Sequence, residues 1–359
     1  MHIVQIVSSA TTVLLQVSQI AILLITGQYA VYLLGQILIT LASNLTLSLI
    51  ATKKYPYLKE KNIEKLKKED RIMVAKNLKA TFLYKLGNTV MNSTTNLLIS
   101  VIVGTVFVGY YSNYLTVFTM VNALIMIFIQ AILASVGNYY ATHNEKDKFK
   151  MFKLLLWMFY VIATFCTSCY ICGTNDFIAL WLGEEFVLKG AFVFVAGFNQ
   201  FVYIAIHPLW ITRESTGVFV STRYLMLFAA GVNVILAGVF GRLFGLVGII
   251  FATAVAYCLT VFWYEPKQLC KRVFHLSARE YWKYISKLLV AVAPTIAIAC
   301  VLNHIVTTNI LALILKFFIC GIVTFASFWI VTRKTLEYQK IKTIVLEIID
   351  KYIKKSNNF

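Results

Sequence analysis

The run Lys85-Leu-Gly-Asn-Thr-Val-Met-Asn-Ser-Thr-Thr-Asn-Leu-Leu-Ile-Ser100 decides how the rest of the chain is read. At helical spacing Lys85, Asn88, Thr89, Asn92, Asn96 and Ser100 share one face, while Leu, Ile, Val and Met fill most of the remainder. A polar stripe of this kind has no use for hydrocarbon, where each side chain costs free energy unless it meets a partner or water. It therefore predicts a helix looking into a bundle interior or a wet cavity. Interhelical hydrogen bonding is the plainer use of the same residues.

Working outward, composition sets the surroundings of that helix. The 359 residues are 60% hydrophobic and 13% charged, with a mean hydropathy of +0.77. That is more apolar surface than a soluble core would hide, so the expected fold is an all-α polytopic membrane protein. The net charge is +18, yet the Lys and Arg residues lie in short segments between apolar runs. Such a distribution argues against a nucleic-acid partner and marks one membrane face instead. Cys166, Cys169, Cys172, Cys258, Cys270, Cys300 and Cys320 sit almost all within apolar runs, so no disulfide framework is expected. Cys166, Cys169 and Cys172 have a metal-like spacing but lack a nearby His or Asp, and they read as small buried hydrophobes. No metal or cofactor is expected.

About ten runs approach the ~20 residues that a bilayer requires. They cover residues 4–25, 30–50, 81–103, 111–134, 151–172, 190–211, 223–239, 246–263, 288–302 and 309–331. No basic segment or cleavage site precedes the first run, which reads as a retained anchor. The segment after the second is the most basic, with Lys53, Lys54, Lys59, Lys61, Lys65, Lys67, Lys68, Arg71, Lys76 and Lys79. By the positive-inside rule it is cytoplasmic, where it would rest on anionic lipid. Residues 138–150, Arg213 and the cations of 264–287 fall on the same side, leaving only Lys189 and Arg242 in external loops. This asymmetry predicts a cytoplasmic-membrane protein with both termini inside. The external turns are read at 104–109, 173–189 and 241–245, and Pro294 is expected to kink the ninth span. In the tail from Lys340, Ile341, Ile344, Val345, Ile348, Ile349 and Tyr352 share a face bordered by lysines. That pattern suits an interfacial amphipathic helix, with docking onto a partner helix as the alternative.

A weak internal repeat places Gly35 on Gly248 and Thr40 on Thr253, each pair followed by a basic, Pro-bearing segment. Four further landmarks occur in order: Gly109-Tyr-Tyr-Ser-Asn-Tyr114, Ala134-Ser-Val-Gly-Asn138, Asn175-Asp-Phe-Ile-Ala-Leu-Trp-Leu-Gly-Glu184 and Arg223-Tyr-Leu. Together they resemble the Wzx-like oligosaccharide-repeat flippases of the MOP superfamily, which are related in fold to MATE exporters. The resemblance covers nearly the whole chain. It implies two six-helix lobes about a central cavity, often followed by a further hairpin. On that template residues 1–51 match the last two helices of a first lobe and 52–79 a basic linker. Residues 80–264 match a complete second lobe, 265–287 a basic loop, 288–332 the added hairpin and 333–359 the basic tail. Roughly the first four helices of the template have no counterpart, so a missing lobe or a second membrane subunit is an implied partner.

The substrate implied by the resemblance is an undecaprenyl-type, pyrophosphate-linked oligosaccharide. Its phosphates call for cations and its sugar for amides or hydroxyls. Lys85 is a candidate phosphate contact, or else a lysine snorkelling to the interface, and Asn88, Asn92 and Asn96 would follow the sugar inward. Arg223 and Tyr224 are a second candidate phosphate contact, with interfacial anchoring as the alternative. Asn199, Gln200, Tyr203, His207 and Asn233 would line the same space, although His207 beside Pro208 better suits a helix end than a proton switch. Lys316 lies well inside the last span and needs a partner, an aqueous path or an outward route. All fifteen carboxylates fall outside the spans as drawn, so no intramembrane proton or sodium relay is expected. No phosphate-cradling Gly-Lys-Ser/Thr loop occurs, which excludes ATP hydrolysis. The expected activity is therefore binding and reorientation, not catalysis. Three alternatives are an inactive fragment or accessory subunit, a membrane enzyme of polysaccharide assembly, and a MATE-type exporter of small molecules.

Overall fold

A computed structural model describes residues 2–55, 67–188, 190–307, 309–343 and 347, with side chains from residue 9 onward. The chain is all-helical, and no strand occurs among the described residues. The helices are α1 (His2–Thr26), α2 (Tyr29–Lys54), α3 (Lys68–Leu98), α4 (Thr105–Thr142), α5 (Glu145–Leu182), α6 (Phe192–Ala205), α7 (His207–Thr216), α8 (Leu225–Leu259), α9 (Val261–Leu269), α10 (Ala278–Asn303) and α11 (Ile310–Thr332).

Among the described residues, eight helical stretches are long and apolar enough to cross a membrane. The protein is thus a membrane-embedded, polytopic helical protein. The difference from about ten has two physical sources. Stretch Val220–Phe274 counts once, although Gly245 (φ 60°, ψ −138°) breaks it in the middle. Positive φ is a backbone state that glycine enters without steric penalty, and here it reverses the chain. Phe240 consequently stacks on Phe251 at 6.0 Å, and Thr253 Oγ1 donates to Asn233 Oδ1 at 3.3 Å. The seventh and eighth runs are therefore an antiparallel pair turning where the sequence places a turn. The other source is α3, whose polar face keeps it out of the eight.

Two units are described separately. In the first, Met1–Arg71, α1 and α2 form a hairpin turned by Gly27 (φ 62°). Gln19 donates to Gln36 at 3.3 Å and Ser43 to Thr11 at 3.0 Å. These bonds satisfy polar groups that lipid would leave unpaired.

The second unit, Ile72–Phe359, holds the remaining helices. Its centre is α5, which packs on α6, α10 and α11 and buries most of its length. Aromatic side chains build this core: Phe152 stacks on Phe274 at 5.1 Å and on Tyr281 at 6.0 Å. Trp157 Nε1 donates to Thr332 Oγ1 at 2.9 Å, tying α5 to the end of α11. At the head of α4, the buried Tyr114 hydroxyl donates to Asn175 Oδ1 at 2.7 Å and accepts from the Leu188 amide at 2.9 Å. Helix α3 meets the start of α8 at Gly87, where a Cβ would strike the backbone of Met226 and Leu227. Only a residue without a side chain permits that approach.

Several boundaries differ from the hydropathy reading in one direction. The turn read at 104–109 is a break at Gly104 alone, after a π-turn over Ile99–Val103. Helix α5 begins at Glu145, capped by Asn144 accepting from the Asp147 amide at 3.0 Å, and runs on to Leu182. Most of the supposed loop 173–189 is thus helix. Helix α10 continues through Pro294. Most of the amphipathic tail pattern lies outside the described residues, as does much of the basic linker.

Candidate functional site

Five helices of the second unit, α3, α4, α5, α6 and α8, line an open cavity of about 560 Å³. Helix α3 contributes Asn92, Ser93, Thr95 and Asn96, so the polar stripe meets a cavity through its second half. Across from it stand Asn122 of α4, Asn199 and Tyr203 of α6, and Thr253 and Tyr257 of α8. Tyr111, Tyr170 and Phe118 add aromatic walls. The volume falls in the range of about 300–1,000 Å³ usual for ligand sites.

The hydrogen-bonding state of these groups shows what the cavity offers. Asn92 Nδ2 donates to the Asn88 carbonyl at 2.9 Å, which fixes its amide one turn back along α3. Asn122 is 8% exposed, yet neither its Oδ1 nor its Nδ2 has a hydrogen-bond partner. A buried amide left open at both ends is costly unless something fills the space beside it. Asn233 lies one layer behind and holds Thr253 in place. No described side chain lining the cavity carries a formal charge. The site is chemically a set of amides, hydroxyls and phenols among apolar rings.

Of the residues singled out in sequence, Asn92, Asn96, Asn199 and Tyr203 come together here. The others do not line this cavity. Lys85 is exposed, and it lies seven residues from Asn92, about 10 Å along the axis. Asn88 has a buried, unpartnered Oδ1 outside the lining. Gln200 is fully buried, with both amide atoms unpartnered among the described residues, and does not line the space that Asn199 lines. Arg223 and Tyr224 border a separate groove.

Lys316 is the clearest correction. It is 4% exposed and neither snorkels nor lines the cavity, because its Nζ pairs with Asp176 Oδ2 at 2.6 Å. The same ammonium donates to the Cys172 carbonyl at 3.3 Å and to the Ile305 carbonyl. Thr307 donates to the same Asp176 oxygen at 2.7 Å.

The expectation that every carboxylate lies outside the spans also needs correction, because two of the helical stretches long and apolar enough to cross a membrane, Glu145–Leu182 and Val220–Phe274, take in Asp176 and Glu265. Asp176 belongs to α5, and Glu265 of α9 is completely buried. Arg213 of α7 donates to Glu265 Oε1 at 3.2 Å and to Glu214 Oε1 at 3.0 Å. Its guanidinium also lies 3.6 Å from the centre of the Tyr84 ring on α3. Glu265 Oε2 has no partner.

Sequence reading missed Asn122, Arg213 and Glu265 as buried polar centres. Asn122 stands among apolar residues of the fourth run, which is a usable signal. Glu265 lies just beyond the limit drawn at residue 263, where its own charge ended the apolar run.

His207 sits at the α6–α7 junction, its Nδ1 2.8 Å from the Tyr203 carbonyl, as a helix-end residue would. Cys172 and Cys320 approach to 3.7 Å between sulfurs, and all seven cysteines are free thiols. Comparison of the chain with protein-family models, with curated protein sequences and with solved structures found no significant match.

Proposed function

We propose that this chain is the membrane component of a flippase that carries lipid-linked oligosaccharide repeat units across the cytoplasmic membrane for cell-surface polysaccharide assembly. The observation that supports this reading most directly is the uncharged cavity bounded by Asn92, Asn96, Asn122 and Asn199. Amides and hydroxyls pair with neutral polyols, and the tyrosine and phenylalanine walls suit the apolar faces of sugar rings. A cationic small molecule would find no carboxylate there. On this reading Lys85, set along α3 from the amides, meets the pyrophosphate, while the sugar occupies the cavity. The MOP-type lobe arrangement, alternating access, and cytoplasmic placement of both termini belong to the same proposal.

The experiment is Asn92→Leu in a strain whose surface polysaccharide depends on this gene. Membrane abundance is expected to stay near the wild-type level while polymer at the surface falls several-fold. Normal polymer would overturn the cavity's role. Orientation is tested by Cys substitutions at Lys283 and Glu184 in intact cells. An impermeant thiol reagent is expected to label the second and not the first.

A further inference from the structure

Outside the asparagine cavity the second unit has another concavity, a groove of about 740 Å³ that shares no lining residue with it. It is framed by the segment leading into α8, residues 220–225, and by the α8–α9 junction, residues 259–267. Two cations, Arg223 and Lys267, border it. Neither takes part in an ion pair among the described residues. The neighbouring carboxylate, Glu265, is fully buried and faces Arg213 instead. The Arg223 guanidinium lies 4.7 Å from the Tyr224 ring centre, which holds it at the groove.

A further group points to an occupant. Ser221 lines the groove, and its hydroxyl, just beneath the surface, has no hydrogen-bond partner among the described residues. The Ser221 carbonyl accepts from the Tyr264 hydroxyl at 3.2 Å, so the two sides of the groove are tied together around that open hydroxyl.

Beyond the cations the walls turn apolar. Phe228 follows Tyr224 by one helical turn on α8, and Trp263 follows Leu259 by the same spacing across the junction. Phe228, Leu259 and Trp263 are 65%, 59% and 58% exposed. A charged end with an open hydroxyl, continued by two apolar rails, is complementary to one class of molecule: an anionic head on a hydrocarbon chain.

We propose that this groove is a specific site for an anionic phospholipid of the surrounding membrane. Its phosphate would lie on Arg223, Lys267 and the Ser221 hydroxyl, and an acyl chain along Phe228 and Trp263. The inference needs only that the chain is membrane-embedded and does not rest on the carrier reading.

The test is native mass spectrometry of the full chain purified in detergent and titrated with phosphatidylglycerol or phosphatidylcholine. The wild-type chain is expected to retain one phosphatidylglycerol molecule in preference to phosphatidylcholine. The double variant Arg223→Ala with Lys267→Ala is expected to bind it about thirty-fold more weakly, given about 1 kcal/mol for each cation near a membrane surface. Replacement of Lys334, a cation that does not line the groove, should leave binding unchanged. Ser221→Ala, which removes no charge and little volume, is expected to weaken retention several-fold and serves if the double variant does not fold. Equal retention of the two lipids, unaltered binding by the variants, or displacement of the lipid by millimolar inorganic phosphate would each overturn the proposal. The last outcome would identify a free-phosphate site.

Discussion

Asp176 of α5 and Lys316 of α11 form an ion pair of 2.6 Å with both side chains almost wholly withdrawn from the surface. The pair is completed by the Thr307 hydroxyl, which donates to the same Asp176 oxygen, and by two backbone carbonyls that accept from the ammonium. It anchors the loop between α10 and α11 to the far end of α5.

Breaking that pair on one side leaves a buried charge without compensation. Lys316→Met is expected to destabilise the protein by about 3–5 kcal/mol, read as a lower melting temperature in detergent. Adding Asp176→Asn to the same chain should recover about half of the loss, because the stranded charge goes with its partner. A single variant that melts like the wild type would show that the pair contributes nothing.

Arg213 and Glu265 should behave as one unit with Tyr84. Arg213→Ala strands the buried Glu265, whereas Glu265→Ala leaves Arg213 paired with Glu214, and the coupling in a double-mutant cycle is expected to be about 2 kcal/mol. Tyr84→Leu removes only the aromatic face beneath the guanidinium and should lose about 1–2 kcal/mol. Additive effects of Arg213→Ala and Glu265→Ala would contradict the geometry.

Asn122 separates folding from binding unusually well. Its side-chain amide makes no hydrogen bond among the described residues, so Asn122→Leu is expected to leave stability unchanged or raise it by about 1 kcal/mol. On the carrier reading the same variant reduces surface polysaccharide. Asn233→Leu should instead lower the melting temperature, since it removes the partner of Thr253. The two measurements on the two variants distinguish a residue held for the ligand from one held for the scaffold.

The approach of Cys172 to Cys320 at 3.7 Å sets the register of α5 against α11. Mild oxidation with copper–phenanthroline should therefore protect two thiols from alkylation in the wild-type chain and none in Cys320→Ala, read by mass. Unprotected thiols in the wild-type chain would place the two helices differently.

How much of this was legible in sequence depends on the length over which a signal is averaged. The reversal at Gly245 and the stripe on α3 were readable, because a turn between two apolar runs and a helical period both extend over many residues. The stripe's inner end was placed less well. Ser93 and Thr95 line the cavity while Thr89 and Ser100 do not, and Ser100 falls within the π-turn at Ile99–Val103 that ends the regular helix. Asp176 and Glu265 were misplaced for a different reason. A hydropathy run stops at the first unpaired-looking charge, whereas a charge that finds Lys316 or Arg213 lets the helix continue. Pairing over 140 residues, as between Asp176 and Lys316, leaves no local trace.

Helix α3 carries a consequence for how the protein is made. Standing alone it is too wet for the bilayer interior and would be a poor client for lateral release from the translocation channel. Asn92 and Asn96 stay exposed on its cavity side, and the rest of the lining comes from helices synthesised later, α4, α5, α6 and α8. The cavity on α3 is therefore complete only once α8, the last of its lining helices, has emerged from the ribosome.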